Sequence, residues 1–180
     1  MGTLDIYDID LKSLGVEAKD FTFTLDGPFF KALEVQEISD GLVHAQLTVK
    51  KLGSSFELLM HVNGVVTIQC DRCLDDMQQP IEAENKLFVK FGPEYLDEGD
   101  ELIIVPEDKG IVNVAWFLYE LVALAIPIQH THEEGQCNEE MMRILHEHSA
   151  QPEGENVDKA DDESHVDPRW SDLKKLLNNN

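Results

Sequence analysis

The chain has 180 residues, of which 42% are hydrophobic, so it can bury one substantial core. Its 14 Lys+Arg are outnumbered by 36 Asp+Glu, and the net charge of −22 repels a phosphate backbone. This charge argues against general, electrostatically driven binding of nucleic acid. A role that involves RNA would therefore require a basic protein partner or a local patch.

The start of the chain, from Met1 to Asp5, has no cationic segment and no apolar run follows it, so no secretory signal is predicted. The longest apolar run, residues 114–126, is interrupted by Glu120 and is shorter than the ~20 residues of a membrane span. We therefore expect a cytoplasmic protein that does not enter a membrane. In that reducing compartment, an odd number of cysteines favours free thiols or metal ligation over disulfides.

Alternating apolar residues predict a series of short strands, at residues 21–25, 42–49, 56–62, 65–70, 81–91 and 101–105. The pair Asn63-Gly64 lies between two of these runs. Because both residues tolerate positive φ, this pair predicts a type I′ hairpin turn. A polar turn is expected over residues 71–80. Strands joined by short turns indicate an α+β fold with an antiparallel curved sheet or open β-barrel.

One buried helix is predicted after the strands. Residues 114–126 are apolar nearly all round, Asn113 is a candidate N-cap, and Pro127 ends the run. We expect this helix to cover the sheet, with Trp116 and Phe117 in the core. A short polar helix is predicted over residues 138–148.

The end of the chain is predicted to lie outside the folded domain of residues 1–148. Residues 149–167 are acidic and carry almost no apolar side chains, which is typical of a disordered linker. Residues 168–180 form a locally basic, amphipathic tail with helical spacing. We expect this tail to bind a partner. The predicted contact residues are Arg169, Trp170, Leu173, Lys174 and Leu177.

All the cysteines lie in two short segments that flank the apolar run. Cys70 and Cys73 form a Cys-x-x-Cys pair, and Cys137 follows two histidines, His130 and His132. Such a pair at a turn, joined by a distant Cys and His, is the pattern of a tetrahedral zinc site. The residues alone leave open which histidine binds, and whether the thiols instead only pack in the core.

An enzyme is the competing interpretation: a thiol oxidoreductase or a metal-dependent enzyme that uses Cys70, Cys73 and Cys137. A redox pair usually opens a helix, which lowers the pKa of its thiol, whereas this pair follows a predicted strand and precedes Asp75-Asp76. The paired acids have no accompanying nucleophile, and no glycine-rich phosphate loop is present. No catalytic residue is therefore predicted, and we expect a protein that is not an enzyme.

The order and spacing of three motifs along the chain resemble those of the YceD family of large ribosomal RNA accumulation proteins. The resemblance covers roughly residues 20–177. The family pattern falls on Cys70, Arg72, Cys73 and Leu74 after a strand, on Pro127, His132 and Cys137 after the helix, and on Pro168, Leu173 and Lys174 in the tail.

This resemblance implies a cytoplasmic bacterial protein without established catalytic activity, which is needed for normal accumulation of 23S ribosomal RNA and hence for large-subunit assembly. It also makes His132 the preferred fourth ligand of a structural zinc held by Cys70, Cys73, His132 and Cys137. Because the chain is so acidic, we expect its partner to be a basic ribosomal protein or a pre-50S particle, with any RNA contact indirect.

Overall fold

The computed structural model describes residues 4–97, 99 and 101–149. The strands are β1 (Asp8–Asp10), β2 (Lys19–Asp26), β3 (Asp40–Leu52), β4 (Ser55–Gln69), β5 (Asp76–Gly92), β6 (Leu96–Asp97), β7 (Leu102–Pro106) and β8 (Ile111–Asn113). The helices are a 3-10 turn (Asp5–Tyr7), α1 (Gly27–Ala32), α2 (Ala115–Ala125) and α3 (Glu139–His148). The predicted α+β class is confirmed.

The main sheet is an open, six-stranded sheet with the order β2-β3-β4-β5-β7-β6. Its pairs are antiparallel except β5 and β7, which are parallel. The expectation of a wholly antiparallel sheet is therefore wrong at this edge. After β5 the chain forms β6 at the outside of the sheet, and β7 then returns between β6 and β5 in the direction of β5. A separate two-stranded sheet pairs β1 with β8.

The core lies on one face of the main sheet, because the long strands alternate buried and exposed side chains. In β3, Val43 and Leu47 are fully buried, and in β4 the same holds for Leu58 and Val62. Helix α2 packs on β5 and β4. This two-layer arrangement gives the strands a dry face under the helix and a solvated face on the other side.

The predicted hairpin at Asn63-Gly64 is wrong. Strand β4 continues straight through both residues, with Asn63 opposite His44 and Gly64 opposite Val43. The tight connection between β3 and β4 is instead at Gly53, where φ is 63°. Glycine occupies position 64 because a Cβ there would collide with the Leu42 carbonyl oxygen, so the residue permits a close approach of two strands.

The predicted polar turn over residues 71–80 is shorter than expected, because β5 already begins at Asp76. Gln78 and Gln79 pair with Thr67 and Val66 of β4. The segment between the two longest strands is thus reduced to a tight loop that carries Cys73.

Helix α2 is confirmed as the buried helix, and it shields one face only. Leu118 and Val122 are fully buried, whereas Trp116 is 49% exposed. The expectation that Trp116 lies in the core is therefore wrong, and Phe117 is half-buried against the core. Asn113 does act at the helix start, where its Oδ1 accepts a hydrogen bond from the Ala115 amide at 3.0 Å.

Before β3 the chain forms a short helix and buries a cluster of aromatic rings. Residues 27–32 form α1, whose N-terminus is capped by Asp26 through a hydrogen bond from the Phe29 amide at 3.2 Å. Tyr7 is buried against Phe23 and Phe29, with ring centroids 5.0 Å away in each case. Burial and the nearby Asp26 carboxylate raise the pKa of Tyr7 to about 12. The phenol therefore stays neutral and serves packing.

The chain divides into two compact units, Met1–Ile144 and Leu145–Asn180. The strands and helix α2 belong to the first unit. The predicted linker, apart from residue 149, and the whole predicted tail at 168–180 lie outside the described residues. Among the residues that are described, no helix has the length and apolar character needed to cross a membrane.

We predict that Gly64→Ala destabilises the protein by about 3 kcal/mol, because the added methyl group meets backbone atoms that cannot move aside. Gly15→Ala is the matched control, since a Cβ there meets nothing within 4 Å. Chemical denaturation of both variants measures the effect. Equal stability of Gly64→Ala and the parent chain would show that β4 does not approach β3 closely at this point.

A second pair of variants tests which face of α2 is buried. Leu118→Ala should cost about 2–5 kcal/mol of unfolding free energy because it opens a cavity beneath the helix. Trp116→Ala should cost less than about 1 kcal/mol, since the indole is half exposed. Thermal and urea unfolding of the two variants give the comparison. The reverse order of destabilisation would place Trp116 in the core after all.

Candidate metal centre

Two loops at the same edge of the core bring the cysteines together. Cys70 follows the last residue of β4, and Cys73 lies three residues further on, before β5 begins. The second loop follows α2, which ends before Pro127, and carries His132 and Cys137. Because α2 packs on β4 and β5, the loop that leaves its C-terminal end meets the loop that joins those strands.

The Cys-x-x-Cys loop is a tight turn that turns both thiols inward. The Cys70 carbonyl accepts a hydrogen bond from the Leu74 amide at 2.9 Å, and the Cys70 amide donates to the Asp75 carbonyl at 2.9 Å. Leu74 adopts a left-handed φ of 62°, which closes the turn. As a result Cys70 is 0% exposed and Cys73 is 1% exposed, while Leu74 itself faces solvent.

The predicted ligand atoms converge on one point. One side-chain atom from each of Cys70, Cys73, His132 and Cys137 lies within 4.8 Å of all the others. The sulfurs of Cys70 and Cys137 are 4.0 Å apart, and the Cys73 sulfur is 3.3 Å from His132 Nδ1. A tetrahedral zinc with bonds of about 2.3 Å to sulfur and about 2.0 Å to nitrogen requires ligand separations of about 3.5–3.8 Å. The cluster is therefore compatible with metal binding.

The second nitrogen of His132 is held in the manner typical of a metal-binding imidazole. Its Nε2 lies 3.3 Å from the Asp76 carbonyl oxygen, at the start of β5. When Nε2 carries the proton and donates to that carbonyl, the lone pair of Nδ1 faces the three sulfurs. This contact orients the ring and selects the tautomer that a metal needs.

The surroundings of Cys70 favour a thiolate. Burial raises the pKa of the thiol, but the backbone amides of Cys73, His132 and Arg72 lower it more, to about 6 from an ordinary value of 9.0. The amides of Arg72 and His132 each donate to this sulfur at 3.4 Å. Burial and the neighbouring sulfurs raise the pKa of the Cys137 thiol. This thiol would therefore lose its proton when a metal ion binds to its sulfur.

The pKa of the His132 imidazole is raised, whereas burial alone lowers the pKa of a histidine. Desolvation alone would lower the pKa of its imidazole, yet hydrogen bonds from the ring to Cys70 and Cys73 and to the Asp76 carbonyl raise it. Without a metal, the imidazole is thus drawn toward the charged form that pairs with a thiolate. A bound cation would replace that proton.

His130, the alternative ligand, has a different role. Its Nδ1 lies 3.0 Å from the Pro127 carbonyl oxygen, and its Nε2 lies 3.3 Å from Asp71 Oδ1. The backbones of Asp71 and His130 are also joined, since the Asp71 amide donates to the His130 carbonyl at 2.9 Å. The His130 amide donates to Asp71 Oδ2 at 2.8 Å. This pair braces one loop against the other beside the cluster.

Sequence reasoning missed the bracing role of Asp71 and the contribution of the Asp76 carbonyl. Asp71 lies inside the Cys-x-x-Cys motif, so its position offered a signal, although nothing in the sequence pairs it with His130. A backbone carbonyl leaves no sequence signal at all. The predicted partner-binding residues Arg169, Trp170, Leu173, Lys174 and Leu177 lie outside the described residues, and their role stays a prediction.

The donor set distinguishes between kinds of site. Three sulfurs and one imidazole nitrogen complete a tetrahedron, which is the composition of structural zinc sites, whereas catalytic zinc keeps one position open. The three cysteines are free thiols, and the 4.0 Å between the Cys70 and Cys137 sulfurs is far beyond a disulfide bond. A metal bound here would supply a crosslink between the two loops.

Fold and site together define an acidic α+β protein with a buried Cys3His cluster that joins a strand connection to a helix exit. The chain belongs to the YceD family, since the family model described as large ribosomal RNA subunit accumulation protein YceD matches residues 58–177. The matched region contains all four residues of the cluster.

A curated relative supports this placement. The chain is 28% identical over 148 residues to the uncharacterized protein YlbN of Bacillus subtilis (strain 168), which covers 80% of this chain and 78% of that protein. No solved structure matched the chain. The family description supports a role related to ribosome biogenesis.

We predict that the purified full-length protein binds one Zn²⁺ and that chelation lowers its melting temperature. At free zinc near 1,000 times the dissociation constant, binding contributes about 4 kcal/mol. For a chain of this size, that corresponds to a shift of about 8–16 °C. Elemental analysis and thermal unfolding with and without a chelator measure both quantities. An unchanged melting temperature after complete chelation would contradict a structural metal.

The two histidines provide a matched control for this prediction. His132→Ala should lose the zinc and the associated thermal shift, because its Nδ1 lies 3.3 Å from the Cys73 sulfur. His130→Ala should keep the zinc, because that ring contacts Pro127 and Asp71 instead. Loss of zinc from both variants, or from His130→Ala alone, would show that the ligand set is wrong.

Proposed function

We propose that this protein is a non-enzymatic ribosome biogenesis factor that supports 23S ribosomal RNA accumulation and large-subunit assembly in the cytoplasm. It acts by binding a basic ribosomal protein or a pre-50S particle. The observation that carries this proposal is membership of the YceD family of large ribosomal RNA subunit accumulation proteins.

The charge of the chain supports a protein partner in preference to bare RNA. With 36 Asp+Glu against 14 Lys+Arg, the surface attracts cationic proteins and repels phosphate. Ribosomal proteins and their extensions are basic in order to hold RNA, so an acidic factor can bind one before it reaches the particle. Such electrostatic attraction speeds association and weakens as salt rises.

The proposed metal is structural zinc, held by Cys70, Cys73, His132 and Cys137. The burial of all three thiols supports this role, because Cys137 is 8% exposed and the other two are less so. Four protein ligands leave no open position for a substrate. The zinc would supply a fixed connection between two loops, while binding takes place on other surfaces.

A redox enzyme is less well supported. The pKa of Cys70, at about 6, would suit a reactive thiolate. However, the Cys70 side chain is fully buried, and the strand β5 follows the pair where a redox motif has a helix. A thiol that solvent and substrate cannot reach does not exchange disulfides.

Sedimentation of cell extract tests the proposal. Tagged full-length protein should co-sediment with pre-50S particles or their basic proteins at low salt and dissociate as salt rises. Depletion should lower 23S ribosomal RNA relative to 16S. Absence of any such association, together with normal 23S levels on depletion, would overturn the proposed function.

Two variants refine this test. In the predicted tail, Trp170→Ala combined with Leu173→Ala should weaken co-sedimentation if the tail contributes to binding. The control is Leu42→Ala, which removes an exposed apolar side chain on the solvated face of β3 and leaves the tail sequence unchanged. This variant should bind as the parent chain does. Equal binding of both variants would remove the tail from the proposal.

A further inference from the structure

The outer face of helix α2 presents large side chains to solvent. Trp116, Glu120 and Leu124 follow one another at spacings of four residues, so they lie along one face of the helix. Trp116 is 49% exposed and Leu124 is 85% exposed. The same helix packs in the core by its other face. Exposed aromatic and aliphatic side chains on such a helix are associated with binding surfaces.

Residues from other elements complete a groove beside this face. Tyr95, before β6, and Ile111, in β8, are 57% and 45% exposed and line a cavity of about 440 Å³ together with Trp116, Glu120 and Asp97. A second cavity of about 270 Å³ shares Asp97, Phe117 and Glu120 with the first and extends to Leu124. The two cavities lie side by side along the helix and share these three lining residues, and together we name them the α2 groove.

The α2 groove is acidic at its centre. Asp97 and Glu120 line both cavities, and among the residues that the structure describes no lysine or arginine lines either one. The indole Nε1 of Trp116 donates a hydrogen bond to Glu120 Oε1 at 2.6 Å, which holds the ring beside the carboxylate. Desolvation raises the pKa of Tyr95, and the nearby Asp97 and Glu120 raise it further, consistent with a concentrated negative charge.

We infer that the α2 groove binds an extended segment of a basic protein, with arginine or lysine side chains on Asp97 and Glu120 and apolar side chains against Ile111, Trp116 and Leu124. This inference rests on the proposed function and adds the docking surface for its basic partner. A guanidinium can pair with Glu120 while it stacks on the Trp116 ring. Tryptophan and arginine are also the side chains on which interface energy concentrates.

The dimensions of the groove limit the length of the segment. From Trp116 to Leu124 the helix rises about 12 Å, at 1.5 Å per residue. An extended chain advances about 3.3 Å per residue, so the groove holds about four residues. A nucleic-acid strand is the wrong occupant, because its phosphates would meet the two carboxylates without a cation between them.

Fluorescence anisotropy with full-length protein tests this inference. The probe is a labelled peptide containing Leu-Arg-Arg-Leu, and its counterpart has citrulline in place of both arginines. The parent chain should bind the arginine peptide at least about tenfold more tightly, with an affinity that falls as salt rises. Equal binding of the two peptides would overturn the inference.

Variants then locate the binding. Trp116→Ala should weaken binding of the arginine peptide about tenfold. Asp97→Asn and Glu120→Gln should each weaken its binding about three- to tenfold. Glu17→Gln removes the same single charge at an exposed position away from the groove and should leave affinity unchanged. Matching melting temperatures establish that the variants are folded.

The outcomes separate this inference from the proposed function. If Glu17→Gln weakens binding as much as Glu120→Gln, the whole acidic surface is responsible and the α2 groove is not a site. If a synthetic peptide of residues 168–180 displaces the probe with higher affinity than the probe itself, the groove is assigned to the chain's own tail and the inference fails. In either case, continued association with pre-50S particles would leave the proposed function intact.

Discussion

Four side chains from two distant loops converge where the exit of α2 meets the connection between β4 and β5, and a metal held there would constrain how the helix lies on the sheet. Cys70 and Cys137 are 67 positions apart in the chain, and their sulfurs are 4.0 Å apart in the fold. A covalent crosslink that closes a loop of this length contributes about 4 kcal/mol through the lost entropy of the unfolded chain. A metal bound by the cluster would act in the same way and would hold the exit of α2 against the connection between β4 and β5.

The two faces of helix α2 have different roles. The inner face, with Leu118 and Val122, is committed to the core, whereas the outer face stays open beside Asp97. A groove made from three different elements keeps its shape only if those elements cannot slide. A metal in the cluster would fix one end of α2, and at the other end Asn113 Oδ1 accepts a hydrogen bond from the Ala115 amide. On the proposed function, the cysteines would position the α2 groove, and its acidic side chains would attract the partner.

The sequence was informative wherever a residue type has few possible uses. Cys-x-x-Cys with a distant His and Cys predicted that the cysteines meet a histidine, although only the family resemblance favoured His132 over His130. The alternating pattern over residues 42–49 predicted a strand there. Local patterns failed where tertiary contacts decided. Asn63-Gly64 has the composition of a hairpin turn, but its glycine is needed because the Leu42 backbone passes close by. The sequence could not reveal that contact, since it depends on a strand more than 20 residues away.

The exposure of Trp116 also could not be predicted from local sequence. A run of apolar residues predicts a buried helix, yet it does not show which side of that helix is covered. The helix packs on β4 and β5 by one face, so an aromatic residue on the other face remains exposed. The parallel pairing of β5 and β7 was equally hidden, because strand order depends on which edge the chain reaches after β6.

X-ray absorption at the zinc edge of the full-length protein shows directly whether Cys70, Cys73, His132 and Cys137 hold a zinc ion. We expect one zinc per chain with three sulfur neighbours at about 2.3 Å and one nitrogen neighbour at about 2.0 Å. A protein isolated under reducing conditions that neither contains nor takes up zinc would contradict it. A coordination shell with fewer than three sulfurs would contradict it as well.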